Sequence, residues 1–434
     1  MSAINIGEQR LAPGAGRTVL GGSFGMFLEF YEYGIYGTFA PVLAKVFFAA
    51  GDDLSALLLT YGIFAVTFLF RPVGGAVLGA LGDKMGRKTA LFVSLAIITI
   101  ATTVIGLLPS YAVLGAAAPI LLTLCRLAQG FSAGGEVSAA VTLIGEAAPE
   151  GRRAFYVSFV QAASFSALLL GTLIGLQLSA SLSDEALRSW GWRVPFLLAL
   201  PLGAVGLWVR HSIPESEEFE RLAQKKGLKS NPLTAAFSTA ENRKLILLAM
   251  LVPLLNNIGY YVLFNYLPTY LKNTVGFSAK ESFIVTSIGL ITLIIAIPFA
   301  AKLADRFGRR PVLIWSSLAM ALLVYPAYLG MQQGSLAWAI AGIMLLAVIF
   351  SGNTGVIHTV LMEIFPPSVR TTSYSLGYNV GLAIFGGGGP LLVTYLIGRT
   401  GNPAIPAWYI IFAALMTALF MMGIRETARS ERGR

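Results

Sequence analysis

The sequence has little charge, one cysteine and two histidines, and each shortage excludes a class of protein. Only 12% of the 434 residues are Asp, Glu, Lys or Arg, about half the roughly 25% that is usual in soluble domains. One cysteine forms no intramolecular disulfide, and it cannot build a zinc site with His211 and His358, which lie far apart in sequence. No Gly-Lys dipeptide occurs, so the P-loop of ATP-driven pumps is missing. We expect no enzyme, no cofactor and no bound metal.

Long apolar runs account for most of the chain, and 56% of its residues are hydrophobic. A helix that crosses the roughly 30 Å of membrane hydrocarbon needs about 20 such residues. The sequence predicts twelve spans of this kind, which makes the chain an all-α membrane protein. They lie at 19–48, 54–81, 88–108, 113–146, 153–180, 192–211, 243–271, 279–302, 311–329, 335–363, 370–398 and 404–424.

The cations are distributed unevenly around these spans. Two of the 31 Lys and Arg residues fall inside spans, 23 lie on the side of the N-terminus and six lie on the other side. Short loops that are rich in Lys and Arg stay in the cytoplasm. We therefore expect a multi-pass protein of the inner membrane with both termini in the cytoplasm. The net charge of +10 then reflects topology and gives no support to nucleic-acid binding.

One long polar stretch divides the spans into six plus six. The predicted organisation has five parts: a cytoplasmic arm at 1–18, a six-helix bundle at 19–211, a cytoplasmic linker at 212–242, a second six-helix bundle at 243–424 and a cytoplasmic tail at 425–434.

The two halves repeat each other in their loops. Residues 79–88 read GALGDKMGRK and residues 301–310 read AKLADRFGRR, an offset of 222. Residues 146–153 and 363–370 share a Glu, a Pro and a final Arg at an offset of 217. Two matches at nearly one offset indicate duplication of a six-span unit, so we expect two pseudo-symmetric bundles.

The loop motif at 79–88, together with its repeat at 301–310, resembles that of the major facilitator superfamily of secondary transporters. Further motifs are similar to its metabolite:proton symporter family, although Phe30 and Glu32 stand where that family usually has Trp and Asp. The resemblance implies the major facilitator fold and proton-coupled uptake of a small metabolite, a class that includes citrate, 2-oxoglutarate, shikimate, proline and betaines. The motifs lie at 28–33 (LEFYEY), 70–75 (FRPVGG), 126–136 (RLAQGFSAGGE), 190–195 (WGWRVP), 266–270 (YLPTY) and 385–387 (FGG).

Few charged residues lie inside the spans, and each requires a partner or a water-filled cavity. At 1.5 Å per residue, Glu29 and Arg71 both lie about 18 Å from the same membrane boundary, so they can neutralise each other. Arg126, which shares a helix face with Gln129, offers a planar fork of donors for a substrate carboxylate. We expect Arg71 and Glu32 to contribute to the same site. The alternative is that these charges only hold the helices together.

The polar residues inside the spans of the second half are mainly amides and phenols, which are uncharged. Asn257, Tyr260 and Tyr261 in span seven, with Tyr378 and Asn379 in span eleven, are candidates to line a substrate cavity. Polar side chains also join membrane helices to each other, and that alternative is equally consistent with the pattern. His358 is interpreted as a packing or gating residue.

A set of charged residues near the span ends is typical of a gate. Glu146 and Arg153 in the first half match Glu363 and Arg370 in the second, and we expect the two pairs to face each other across the pseudo-two-fold axis. The remaining candidates for this gate are Asp83, Arg87, Glu136 and Asp305.

These observations lead to one hypothesis with two alternatives. The leading one is a monomeric symporter in the lipid bilayer that takes up a mono- or dicarboxylic acid together with a proton. Glu29 is the candidate proton carrier, and Glu32 is a supporting or substrate-facing group. The alternatives are a symporter for a zwitterion such as proline or betaine, and a transporter-like receptor that binds without carrying. The solute, the choice of H⁺ or Na⁺ and the stoichiometry stay open.

Overall fold

The computed structural model describes residues 15–49, 51–85, 87–211, 237–366 and 370–428. Most of the arm predicted at 1–18 and of the linker predicted at 212–242, and the end of the tail predicted at 425–434, lie outside these residues. The side chains of Asp83 and Arg87 are also outside the description. Within the described ranges the regular structure is helical.

The first half is built from helices that correspond to the first six predicted spans. A π-helical segment at Leu187–Gly191 precedes the sixth span, and Leu198 interrupts the helix of that span. The α-helices are Ala15–Phe47, Asp53–Leu69, Arg71–Met85, Arg87–Leu107, Tyr111–Leu114, Ala117–Ser132, Glu136–Ala147, Arg153–Ser181, Asp184–Ala186, Arg193–Leu197 and Ala199–His211.

The second half repeats this arrangement with more interruptions. Its π-helical segments are Gly259–Asn265, Leu271–Val275 and Leu382–Gly387. The α-helices are Ala240–Leu251, Leu254–Ile258, Leu267–Tyr270, Ala279–Phe307, Arg309–Met331, Leu336–Thr354, Ile357–Glu363, Arg370–Gly381, Gly389–Thr400 and Ile405–Met422.

Many of these helices suit a membrane by length and composition. Within the described ranges nine continuous helical stretches are long and apolar enough to cross one, and Phe92–Leu107 is a shorter apolar helix. Large apolar side chains such as Leu322 and Trp315, which are more than 70% exposed, cover the outer surface. A water-soluble fold would bury such residues, so the outside of the bundle suits lipid.

Several spans that the sequence predicts as continuous are interrupted, and two of the interruptions fall at glycines. The span at 113–146 breaks between Ser132 and Glu136, where Gly134 and Gly135 lower helix propensity. The span at 370–398 becomes π-helical at Leu382–Gly387 and resumes after it, because a run of glycines and a proline weakens the α-helical hydrogen bonding there. Irregular backbone at membrane depth is tolerated where it is buried in protein or lines a cavity, and π-helical segments are frequent at functional sites.

Close packing of the second and fourth spans depends on glycine. A Cβ atom built on Gly134 would lie only 2.8 Å from the Cα of Gly75, and one on Gly130 would collide with the backbone of Thr67. Small residues let membrane helices approach backbone to backbone. This contact places Arg71 and Arg126, one on each span, at the same point of the bundle.

The halves meet along long helices. Arg153–Ser181 of the first half packs against Ala15–Phe47 of its own half and against Ala279–Phe307 of the second. The core of buried side chains runs without a break across this seam. The polar site lies inside that core.

Candidate functional site

The centre of the first half holds an ion pair. The guanidinium of Arg71 contacts the carboxylate of Glu29 through Nη2 and Oε1, and both side chains are at most 1% exposed. These are the two residues that the sequence places at one membrane depth. Burial of either charge alone would be costly, and the pair offsets that cost only because the two groups touch.

A second buried network surrounds Arg126. Its Nη1 donates to Oε1 of Gln129 at 2.6 Å. The amide nitrogen of Gln129 donates in turn to Oε2 of Glu32 at 3.2 Å and to Oγ1 of Thr102 at 2.6 Å. Gln129 therefore connects a cation to an acid that the cation does not touch directly.

An aromatic ring connects the two arginines. The guanidinium carbons of Arg71 and Arg126 each lie 5.2 Å from the centroid of the Tyr33 ring. Arg126 also lies 4.3 Å from the ring of Tyr36. Ring faces attract cations electrostatically, so these tyrosines partly replace the water that the arginines have lost.

Two of the three guanidinium nitrogens of Arg126, Nε and Nη2, make no hydrogen bond among the described residues. These two nitrogens form one edge of the guanidinium and together present the bidentate fork that suits a carboxylate. In Arg71 the ion pair with Glu29 occupies Nη2, and the nitrogens without such a partner, Nε and Nη1, lie on different edges.

A small cavity lies between the halves beside these networks. It has no space large enough for a water molecule. Ligand pockets usually have about 300–1,000 Å³, so a solute fits only after the halves move. The lining residues are Phe30, Gln161, Asn256, Asn257, Tyr260, Tyr261, Tyr378 and Leu382.

The cavity wall carries polar groups with and without partners. Nε2 of Gln161 donates to Asn256 at 3.1 Å. Both amide atoms of Asn257 and the hydroxyls of Tyr260 and Tyr261 are buried without a hydrogen-bond partner in the described part of the chain. Buried polar groups in proteins are normally hydrogen-bonded, so these groups are suited to a polar ligand.

Aromatic rings connect the arginines to this wall. The guanidinium carbon of Arg71 lies 5.6 Å from the ring centroid of Phe68, and that of Arg126 lies 5.3 Å from that of Phe64. The ring of Tyr261 lies 5.3 Å from Phe68 and 5.6 Å from Phe64. Tyr261 belongs to the second half and both arginines to the first. The structure thus brings the charged cluster of one half to the neutral polar wall of the other.

One end of the bundle, here called the ion-pair end, is held by contacts between the halves. Arg153 Nη1 lies 3.4 Å from Glu363 Oε1, and Arg370 Nη1 lies 2.9 Å from Glu146 Oε1. Each arginine pairs with the glutamate of the opposite half. Glu136, which begins a helix in the first half, makes neither of these contacts.

Asp305 and Arg309 extend the contacts at the ion-pair end. The carboxylate of Asp305 accepts hydrogen bonds from the backbone N–H groups of Ala154 and Phe155 at 3.0 and 2.9 Å. It thereby caps a first-half helix from the second half, where the helix dipole favours negative charge. Arg309 lies 3.2 Å from Asp305 and 3.3 Å from Glu363.

The opposite end of the bundle is held by neutral groups. The hydroxyl of Tyr61 donates to Oγ1 of Thr269 at 3.1 Å. Nδ2 of Asn265 donates to the carbonyl of Gly34 at 3.1 Å. Because the halves touch at both ends, the cavity between them is occluded.

Some candidates lie away from the cavity. The amide of Asn379 donates to the carbonyl of Gly134 at 2.7 Å, so Asn379 joins the halves on the ion-pair side of the cavity. His358 contacts the hydroxyl of Tyr374 through Nδ1. No sequence pattern marks Arg309 as part of the ion-pair end, and Gln161 is marked only by its position inside an apolar span.

The fold is that of a multi-pass membrane protein. It has a central buried site between two helical halves, and the halves contact each other at both ends. Comparison with known proteins gives the family. The profile of the Major Facilitator Superfamily matches residues 22–376 and, in a second match, 282–433. The chain belongs to the major facilitator superfamily, which consists of membrane transporters.

Curated relatives support the narrower resemblance. The chain is 34% identical over 420 residues to the proline/betaine transporter of Salmonella typhimurium, which covers 95% of this chain and 84% of the relative. It is 33% identical over 392 residues to the citrate-proton symporter of Klebsiella pneumoniae, which covers 90% and 87%. The prediction of a metabolite:proton symporter family member is confirmed.

Solved structures support the fold. The proton:xylose symporter XylE bound to 6-bromo-6-deoxy-D-glucose superimposes with a TM-score of 0.77 at 20% identity, over 96% of this chain and 97% of that one. The predicted all-α major facilitator fold is confirmed.

We expect the Arg71–Glu29 pair to behave as a unit. Arg71→Gln leaves the buried carboxylate without its guanidinium, a change that costs about 3–5 kcal/mol when a buried pair is broken. Combining it with Glu29→Gln removes both charges and should restore much of the lost stability. Thermal unfolding of the parent, both single variants and the double variant measures the coupling. Additive losses would show that the two side chains are energetically independent.

Proposed function

We propose that the protein is a proton-coupled symporter that imports a small solute with a carboxylate group. A mono- or dicarboxylic acid is the first candidate. The observation that carries the proposal is the open Nε and Nη2 edge of the buried Arg126. Only the ring of Phe64 separates Arg126 from Tyr261 of the cavity wall. The inner membrane is the protein's site of action, with the termini and the ion-pair end in the cytoplasm.

The relatives support the carboxylate. The solutes in their names, proline, betaine and citrate, differ in size and net charge, yet all three carry a carboxylate. A binding residue that serves all three solutes must therefore bind the carboxylate. The fork of Arg126 does so from the first half, while Asn257, Tyr260 and Tyr261 supply neutral hydrogen bonds from the second.

The charge balance of the site supports proton coupling. Arg71, Arg126, Glu29 and Glu32 are two cations and two acids, all at most 4% exposed. A carboxylate that enters this cluster adds an uncompensated negative charge in a medium of low dielectric constant. A proton that enters with it restores neutrality, so each favours the binding of the other by linkage.

Glu29 is the acid best placed to take that proton. While it is ionised it holds Nη2 of Arg71. Protonation weakens this contact and restores the Nε and Nη2 edge of Arg71 for an anion. Glu32 reaches Arg126 only through Gln129, and we assign it a supporting role.

The contacts at the two ends support alternating access as the mechanism. The crossed pairs Arg153–Glu363 and Arg370–Glu146 act as the cytoplasmic gate, with Asp305 capping the helix beside them. Tyr61 and Asn265 close the outer side. The π-helical segments Gly259–Asn265 and Leu382–Gly387 flank the cavity and provide the places where the second half bends.

A zwitterion is the second candidate, and one observation favours it. Aromatic rings form part of the cavity wall: the rings of Phe30 and Tyr260 lie 5.1 Å apart and those of Tyr260 and Tyr261 lie 4.8 Å apart. Clustered aromatic faces bind quaternary ammonium groups. Thermal stabilisation by organic acids, compared with stabilisation by proline and betaines, separates the two candidates.

We expect Arg126→Lys to lower the affinity for the solute at least tenfold although the charge is kept. Lysine cannot make two parallel hydrogen bonds to one carboxylate, and charge-assisted bonds contribute about 1.5–3 kcal/mol each. Binding of the stabilising solute to purified protein measures the loss. Arg188→Lys, at an exposed position, is the control. Parental affinity in Arg126→Lys contradicts the assignment.

We expect Glu29→Gln to keep solute binding and exchange but to lose accumulation driven by a pH gradient. The amide keeps the shape of the side chain and cannot carry the proton. Uptake of labelled solute into liposomes, with and without an imposed gradient, separates the two activities. Glu185→Gln on the exposed surface should behave as the parent. A gradient response in Glu29→Gln equal to that of the parent removes Glu29 from the mechanism, and saturable binding without uptake by the parent indicates a receptor.

We expect Arg153→Ala and Arg370→Ala to shift the protein towards an inward-open state and to slow uptake while binding persists. Each change removes one of the two crossed pairs. A cysteine introduced at Ser375, whose hydroxyl donates to the carbonyl of Gly134 across the seam, should be labelled faster from the cytoplasmic side. Arg152→Ala at a neighbouring exposed position is the control. Unchanged labelling in both variants refutes the gate.

A further inference from the structure

A groove on the outer face of the second half is unrelated to the solute cavity. It runs between the helices Ala279–Phe307, Arg309–Met331 and Leu336–Thr354 and has a volume of about 990 Å³. That volume is at the upper end of the roughly 300–1,000 Å³ of ligand pockets. Its walls are formed largely by apolar side chains such as Phe299, Leu303 and Trp315.

The groove has the length of one membrane leaflet. Its lining residues on the first helix run from Thr292 to Phe307, which is about 22 Å at 1.5 Å per residue. A bilayer with its headgroups is about 40–45 Å thick, so one leaflet takes up about 20–22 Å. The groove therefore extends from near the midplane to the membrane surface at the ion-pair end.

Two cations lie where the groove reaches that surface. The guanidinium of Arg306 lies 5.3 Å from the ring of Phe307, and the ammonium of Lys302 lies 5.7 Å from the ring of Phe299. Both rings line the groove, and both cations are exposed. The groove is therefore mostly apolar along its length, and two cations outside its lining flank the end at Phe307.

The nearby acids are directed elsewhere. Asp305 accepts from the backbone of Ala154 and Phe155. Glu426 accepts from the backbone N–H groups of Arg309 and Arg310 at 2.9 and 3.0 Å. The positive charge of Lys302 and Arg306 therefore remains available to a ligand outside the protein.

We propose that this groove binds one anionic glycerophospholipid. Its acyl chains occupy the groove and its phosphate lies between Lys302 and Arg306. An anionic headgroup is favoured over a zwitterionic one because each Lys or Arg near an anionic membrane surface contributes about 1 kcal/mol. Trp315, 71% exposed near the same end, lies at the depth where tryptophan meets the headgroups.

The site adjoins the seam between the halves. The ammonium of Lys302 also lies 4.8 Å from the ring of Phe155 in the first half, beside the cap made by Asp305. A phosphate bound to Lys302 would therefore lie close to the cap of Asp305 on the first half.

Titration of the purified full chain with phosphatidylglycerol and with phosphatidylcholine of the same acyl chains tests the headgroup. Native mass spectrometry counts the bound lipids. One phosphatidylglycerol should bind more tightly than phosphatidylcholine, and Lys302→Gln with Arg306→Gln should weaken it about 30-fold. Lys244→Gln, an exposed cation away from the groove, should leave it unchanged. Equal affinity for the two lipids, or an unaffected double variant, overturns the proposal.

A second pair of variants tests the groove itself and keeps both surface cations. Ala319→Phe places a ring in the groove, whereas Leu322→Phe changes a residue that is 74% exposed and does not line it. Phosphatidylglycerol binding should fall at least tenfold in Ala319→Phe and stay at the parental level in Leu322→Phe. Parental affinity in Ala319→Phe overturns the placement of the acyl chains.

Discussion

Two arginines buried in an apolar helical bundle are the constraint on which the structure depends. Arg71 and Arg126 are at most 1% exposed, and an unpaired charge at this depth is not tolerated. Glu29 balances one arginine directly, and Glu32 balances the other through Gln129. The glycine contact between the second and fourth spans and the ring of Tyr33 hold the cluster together.

One crossed pair at the ion-pair end is weaker than the pair at the centre. In the Arg370–Glu146 pair the side chains are 16% and 54% exposed, and pairs open to solvent contribute about 0–1 kcal/mol each. The Arg71–Glu29 pair is buried, and breaking it costs several kcal/mol. In the proposed transport cycle, this difference favours opening at the ion-pair end while the charged cluster stays intact.

Much of the fold was predictable from the sequence because its signals are local. Apolar runs predict the spans, the loop repeat predicts the duplication, and equal depth predicts that Glu29 meets Arg71. Contacts between distant segments were not predictable where neither the repeat nor a shared depth marks the two residues. Gln161 meets Asn256 and Arg309 meets Glu363 only in the folded chain, and no spacing rule marks Asn379 as a residue of the seam.

The proposed coupling requires a carboxylate and a proton to enter a neutral buried cluster together. Proton uptake on binding can be measured in weakly buffered solution as the purified protein is titrated with a monocarboxylate that stabilises it. The parent should take up about one proton for each anion bound, by charge balance, and Glu29→Gln should take up almost none. Binding of the anion to the parent without proton uptake would rule out this coupling.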